Sequence, residues 1–136
     1  MRRVATTIAL LSLSLSALLV PTPASAAATV EVTSAKLVAR GVAVDITITV
    51  TCESSQNGGA EFSLRQRADD HVAYGSGWSA VHCTGAPQAV TGRVYAEAGG
   101  YAFNRGIALV NGGIELCTEI DCDYSTRFDG EIRITR

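Results

Sequence analysis

The stretch Val42-Ala43-Val44-Asp45-Ile46-Thr47-Ile48-Thr49-Val50-Thr51-Cys52 alternates without a break between two kinds of position. Successive side chains of an extended strand point to opposite faces. Val42, Val44, Ile46, Ile48, Val50 and Cys52 therefore line one dry face, and Ala43, Asp45, Thr47, Thr49 and Thr51 line a wet one. Wound into a helix, the same residues would be spread around the whole circumference and leave no apolar stripe. The many β-branched side chains, stiff at χ1, also favour the pleated form. Because Cys52 shares the dry face, a bridge from it would lie in or near the core.

Working outward, weaker versions of the same period recur. Thr29 to Ala39 carries Val30, Val32, Leu37 and Ala39, with an irregularity expected near Ser34 and a turn at Arg40-Gly41. Glu53 to Gly59 reads as a polar loop with an Asn57-Gly58 turn signal. Ala60 to Arg67 alternates through Phe62 and Leu64, and Ala68-Asp69-Asp70 reads as a turn. Val72 to Trp78 and Ser79 to Thr84 are two strand candidates. Gly85-Ala86-Pro87 interrupts, and Gln88 to Glu97 resumes through Val90 and Val94. Arg105 to Cys117 meets Asn111-Gly112-Gly113, which reads as a hairpin turn or a bulge. Glu131 to Arg136 closes with Ile132 and Ile134 in register. Seven or eight short strands without an amphipathic helix predict an all-β fold. The most economical form is an immunoglobulin-like Greek-key β-sandwich, and a closed barrel is the alternative.

The chain has 136 residues, 47% hydrophobic and 18% charged, which allows one domain and excludes a disordered tail. Residues 1–26 read as a cleaved export signal: Arg2-Arg3, an apolar run from Val4 to Val20, then Pro21, Pro23 and the small Ala24-Ser25-Ala26. Residues 27–136 would then form a single β-sandwich domain, secreted and without a membrane anchor. Losing Arg2 and Arg3 leaves nine basic against thirteen acidic residues. That balance, with scattered arginines, lacks the basic footprint of a nucleic-acid binder.

Outside the cell an even cysteine count implies disulfides. Cys117 and Cys122 are spaced to bridge the mouth of a hairpin, leaving Cys52 to join Cys83. A zinc site would need C-x₂-C spacing, which is missing.

The segments Val38-Ala39-Arg40-Gly41-Val42-Ala43-Val44-Asp45, Val81-His82-Cys83-Thr84-Gly85 and Glu131-Ile132-Arg133-Ile134 resemble small secreted immunoglobulin-like proteins of actinobacteria. That resemblance implies the sandwich and its export, and carries no activity. The C-x₄-C pair Cys117 and Cys122 also resembles the short bridge of the neocarzinostatin family, apoproteins that hold enediyne chromophores in a cleft. Cys52 and Cys83, 31 positions apart, depart from that family's second short bridge, so no chromophore-contact residue carries over.

Catalytic signals are sparse. Gly75-Ser76-Gly77 lacks the G-x-S-x-G spacing of a nucleophile elbow and reads as a glycine-rich strand. Asp69-Asp70-His71 reads as a charged turn, and His82 as a surface histidine beside Cys83. Glu119, Asp121 and Asp123 lack EF-hand spacing and read as a solvated hairpin tip. Lys36, the single lysine, invites an isopeptide crosslink but fits better snorkelling at a sheet edge.

No catalytic residue, metal or cofactor is therefore expected. The aromatics between positions 74 and 103 are the best hint of a surface role, and Tyr74, Trp78, Tyr101 and Phe103 are the expected contact residues. The sequence thus predicts a secreted, non-catalytic interaction module whose partner is an extracellular protein, a glycan or a small molecule. A small-ligand carrier, a secreted hydrolase and a protease inhibitor presenting the Cys117–Cys122 loop are the alternatives.

Overall fold

In the computed structural model, which describes residues 28–136 save the side chains of 123–125, the alternation around Ile46 becomes strand β2 (Ala43–Thr51). The expected leader, residues 1–26, lies outside the described residues. Before β2 comes β1 (Thr29–Val38). After it follow β3 (Asn57–Ala68), β4 (His71–His82), β5 (Gln88–Ala96), β6 (Gly106–Cys117) and β7 (Cys122–Thr135). The described chain is thus all-β, with a single 3-10 turn at Ala39–Gly41 and no α-helix.

Val44, Ile46, Ile48 and Val50 are fully buried, as the alternation predicts, and Cys52 is buried beside them. Val42 departs from the expectation: it is 55% exposed, while Ala43 is buried. The cause is the tight turn before it. Gly41 sits at φ +91°, and the Val42 N–H donates to the Ala39 carbonyl at 3.2 Å. This rotates Val42 out and sends Ala43 inward. The irregularity expected near Ser34 is present as a register shift between Val32 and Ser34.

Hydrogen bonding runs in the order β1-β2-β5-β4-β3-β6-β7 and closes on itself, so the sheet is a seven-strand barrel. This is the architecture held as the alternative. The pairing does not confirm an immunoglobulin-like sandwich. Two seams are short. β4 meets β5 only through Gly75–Ala96 and Ser76–Tyr95, and β1 meets β7, in parallel, only through Ala35–Ile134 and Lys36–Thr135. Ser79 strengthens the first seam by donating its hydroxyl to the Thr91 carbonyl, and Thr135 strengthens the second by donating to Ala35.

Two turn expectations give way to continuous strand, and two strand candidates merge into one. Asn57-Gly58-Gly59 opens β3, Val72 to His82 lies within one strand, and Asn111-Gly112-Gly113 runs straight through β6. The glycines serve packing there. A Cβ on Gly59 would overlap the Trp78 indole, and one on Gly112 would overlap the Phe128 ring. Across the interior the Phe62 ring fills the space that a side chain at Gly92 would need, and it meets Phe128 at 5.8 Å between centroids.

The two ends of the barrel are sealed differently. At one end Cys52 bridges Cys83 (Cα–Cα 5.3 Å) and Cys117 bridges Cys122 (3.9 Å), as the spacing predicts. At the other, inward alternation along β3 reaches Gln66, which is 3% exposed. Its amide donates to the Asn104 carbonyl at 2.8 Å and accepts from the Asn104 N–H at 2.7 Å, binding the loop between β5 and β6 to the wall. Phe103, in the same loop, is 1% exposed.

Two outcomes follow for stability. Replacing Cys52 and Cys83 together with alanine should lower unfolding free energy by about 3–4 kcal/mol in urea titrations, against about 2 for the Cys117 and Cys122 pair, because the first bridge closes the longer loop. Gln66→Leu removes both part-buried hydrogen bonds to the Asn104 backbone and should cost about 1–3 kcal/mol in the same assay.

Candidate functional site

The residues that alternate outward from the Phe62 face meet on one wall of the barrel. Glu61 lies opposite Trp78 on β4 and Gly113 on β6, and Gly113 lies opposite Arg127 on β7. One step along, Ser63 lies between Ser76 and Asn111, and Asn111 lies opposite Asp129. Beyond that, Arg65 pairs with Tyr74 and Leu109. These rows line an open cleft of about 880 Å³, bounded by Trp78 and Tyr74 on β4 and by Arg127 and Asp129 on β7. That lies toward the upper end of the range of ligand pockets.

Trp78 is 62% exposed, yet its indole is seated over Gly59, whose missing side chain makes the room. One ring face is thus backed by the strand and the other is open. Tyr74 differs, because the Arg65 guanidinium lies 5.4 Å from its ring centroid and covers it. Among the described residues, the side chains of Glu61, Ser63, Ser76, Asn111, Arg127 and Asp129 enter no hydrogen bond or ion pair with one another or with a neighbour.

The opposite wall is different. On β1, β2 and β5 the central outward polar groups satisfy each other, while Glu31, Lys36 and Thr49 have no side-chain partner among the described residues. Arg93 donates to both Asp45 oxygens, at 2.6 and 2.9 Å, and the Thr47 and Thr91 hydroxyls lie 3.0 Å apart. Thr33 donates to the Thr47 carbonyl. The Arg93 hydrogen bond holds the Asp45 carboxyl below its usual range, more than its slight burial raises it.

The expected contact residues therefore separate. Tyr74 and Trp78 line the cleft. Tyr101 lies at the far end of the barrel, stacked on His71 at 4.0 Å between centroids, and Phe103 is core. Glu61, Ser63, Ser76, Asn111, Arg127 and Asp129 were not singled out by sequence. Their signal is parity: each is an outward position on a strand whose inward neighbours are apolar or glycine (Thr126, before Arg127, excepted), but only strand pairing brings them together.

The remaining chemical groups stand apart from the cleft. His71 Nε2 lies 3.1 Å from Asp70, and His82 Nδ1 lies 3.2 Å from Asn57 Oδ1, both exposed. No cluster of three metal-ligating side chains exists among the described residues. Lys36 is exposed opposite Asp45, not buried as an isopeptide lysine would be. At the Cys117–Cys122 tip, the Thr118 N–H donates to the Asp121 carbonyl at 2.8 Å, closing a tight turn that leaves Ile120 96% exposed.

The self-paired wall offers a pH test. A carboxylate whose folded pKa is depressed stabilises the fold above its unfolded value, near 3.8, and loses that contribution as pH falls through the folded value. Arg93→Gln should therefore unfold at lower urea concentration than the parent at pH 7, and the two midpoints should converge toward pH 2. Comparison of the chain with protein-family models, with curated proteins and with solved structures gave no match to any of the three.

Proposed function

We propose that the protein is a non-catalytic binding module, acting outside the cell, whose ligand sits in the cleft on the outer wall of β4, β3, β6 and β7. The observation that carries this reading is the contrast between the two walls. At the centre of the β1-β2-β5 wall Asp45 is taken up by Arg93 and Thr47 by Thr91, whereas the six polar side chains of the cleft have no side-chain partner among the described residues and surround an exposed tryptophan. The strands set the spacing of these groups before a ligand arrives, leaving only side-chain rotamers to be ordered on binding.

The scaffold is best read as an immunoglobulin-like Greek key. β1-β2-β5 and β4-β3-β6-β7 each hold together through ladders of eight to twelve residue pairs, while the joins between these groups have two pairs each. In this description the barrel is two sheets touching at their margins. Export accords with two intramolecular disulfides and no free thiol among the described residues. The inhibitor alternative draws less support. Its loop is a tight turn, while a protease cleft takes an extended segment.

Amide chemical shifts recorded while mono- and disaccharides, neutral aromatic alcohols and tripeptides are added in turn should test the site. At least one class is expected to move a contiguous set of amides from Glu61, Ser63, Ser76, Trp78, Asn111 and Asp129. Shifts confined to the Tyr101 end, the Ile120 tip or the Arg93 wall would overturn the assignment.

A further inference from the structure

We infer that the cleft takes a neutral oligosaccharide, one sugar ring lying on the open face of Trp78 and its hydroxyls shared among Glu61, Ser63, Asn111 and Asp129. This rests on the binding reading above and narrows it to a chemical class. Four observations select that class.

The first is the tryptophan. Its indole is fixed over Gly59 and 62% exposed, so it offers a flat, apolar, immobile surface to solvent. A pyranose ring presents axial C–H groups on one face and hydroxyls around its edge. It can cover such a surface without burying its polar groups.

The second is the set of polar neighbours. Two carboxylates, an amide, two serine hydroxyls and one guanidinium line the cleft, and among the described residues none has a side-chain hydrogen bond. A ligand that covered them without hydrogen-bonding would leave them desolvated and unpaired, which weakens binding at each group. Hydroxyls, which both donate and accept, match carboxylate, amide and guanidinium alike. A flat apolar guest matches none of them.

The third is charge. Glu61 and Asp129 stand against Arg127, the Arg65 guanidinium at the cleft's margin is laid over Tyr74, and the strand amides around them are occupied in ladders, so neither a basic clamp nor a free N–H nest awaits an anion. Phosphorylated and acidic ligands are therefore disfavoured.

The fourth is shape. The cleft is open along one side of a sheet, whereas a drug-sized apolar ligand needs most of its surface enclosed. An oligosaccharide keeps its outer hydroxyls in water and needs no such enclosure. A peptide would be held best by adding to a free strand edge. Here β4 and β7 meet β5 and β1 through only two residue pairs each, but a strand added at those margins would pair with the rim of the sheet and not lie across Ser63 and Asn111 in its middle.

Trp78 is the only tryptophan, so intrinsic fluorescence reports on this site alone. The oxidised protein should be titrated with neutral cello-, xylo-, manno- and chito-oligosaccharides of four to six units, and separately with 2-naphthol and with oligogalacturonate. At least one neutral series should give a saturable change in Trp78 emission and bind at least tenfold more tightly than oligogalacturonate. Calorimetry with that sugar should show a loss of tenfold or more in Trp78→Ala, retention within about fivefold in Trp78→Phe, and a loss of threefold or more in Asn111→Ala. Arg93→Gln, on the other wall, should bind as the parent does. Near-ultraviolet circular dichroism identifies any variant that has lost its fold, and Asn111→Ala then carries the test if Trp78→Ala does so. Saturable binding of 2-naphthol or of tripeptides at the cleft without any sugar would overturn the oligosaccharide assignment and leave the binding cleft standing. Silence of Trp78 and of the cleft amides toward every probe would overturn both.

Discussion

The ring of Phe62, resting where a side chain at position 92 would have to be, is the contact on which the rest of the molecule depends. It is a steric constraint more than an energetic one. Interiors pack like organic crystals, so a phenyl ring on one wall requires an absence on the wall it faces. Gly92 supplies that absence on β5, and on the same side of the barrel Gly112 makes room for Phe128 against Phe62. The pairing fixes which face of β3 looks inward. A slip of one residue would bury Glu61 and Ser63 and expel Phe62. Everything on the outer wall inherits its position from this choice. Glu61, Ser63 and Arg65 point outward because Phe62 and Leu64 cannot.

The fold was legible where one face of a strand is dry and the other wet. The period around Ile46, the turn at Asp69 and the Cys117–Cys122 pairing could be read directly from local spacing, and the Cys52–Cys83 pairing then followed by elimination. Failures cluster at glycines. Asn57-Gly58-Gly59 and Asn111-Gly112-Gly113 have the composition of turns, but they are straight strand because a neighbour needs the space: the β6 backbone at Gly58, Trp78 at Gly59 and Phe128 at Gly112. Such a requirement comes from residues far away along the chain, and no local window contains it. Val42 failed for the opposite reason. A left-handed run from Ala39 to Gly41 overrode a clean alternation at its first position.

The site was legible in part. Trp78 and Tyr74 could be suspected as aromatics among glycines, while Phe103 had the same credentials and is core. What separates them is parity relative to the barrel axis. Parity was readable for β2, but in the broken segments around positions 74 and 103 it was not. The polar half of the cleft is contributed by β3, β6 and β7, strands separated by 40 residues or more between Glu61 and Asn111. Only the register joins them.

The two outer walls carry the final step of the reasoning. Both are built from the same alternation, and both display hydroxyls, carboxylates and arginines. On one, cross-strand neighbours are complementary, Asp45 with Arg93 and Thr47 with Thr91, and each removes the other's capacity to bind anything else. On the other, cross-strand neighbours are glutamate with tryptophan, serine with serine and asparagine with aspartate, none of which is paired in the structure. A sheet face needs only solubility to exist, and the first wall achieves it by internal pairing. The second wall keeps its polar groups unspent around an indole that is 62% exposed and seated over a glycine. The difference between the walls, more than any single residue, supports the proposed site on the β4-β3-β6-β7 side.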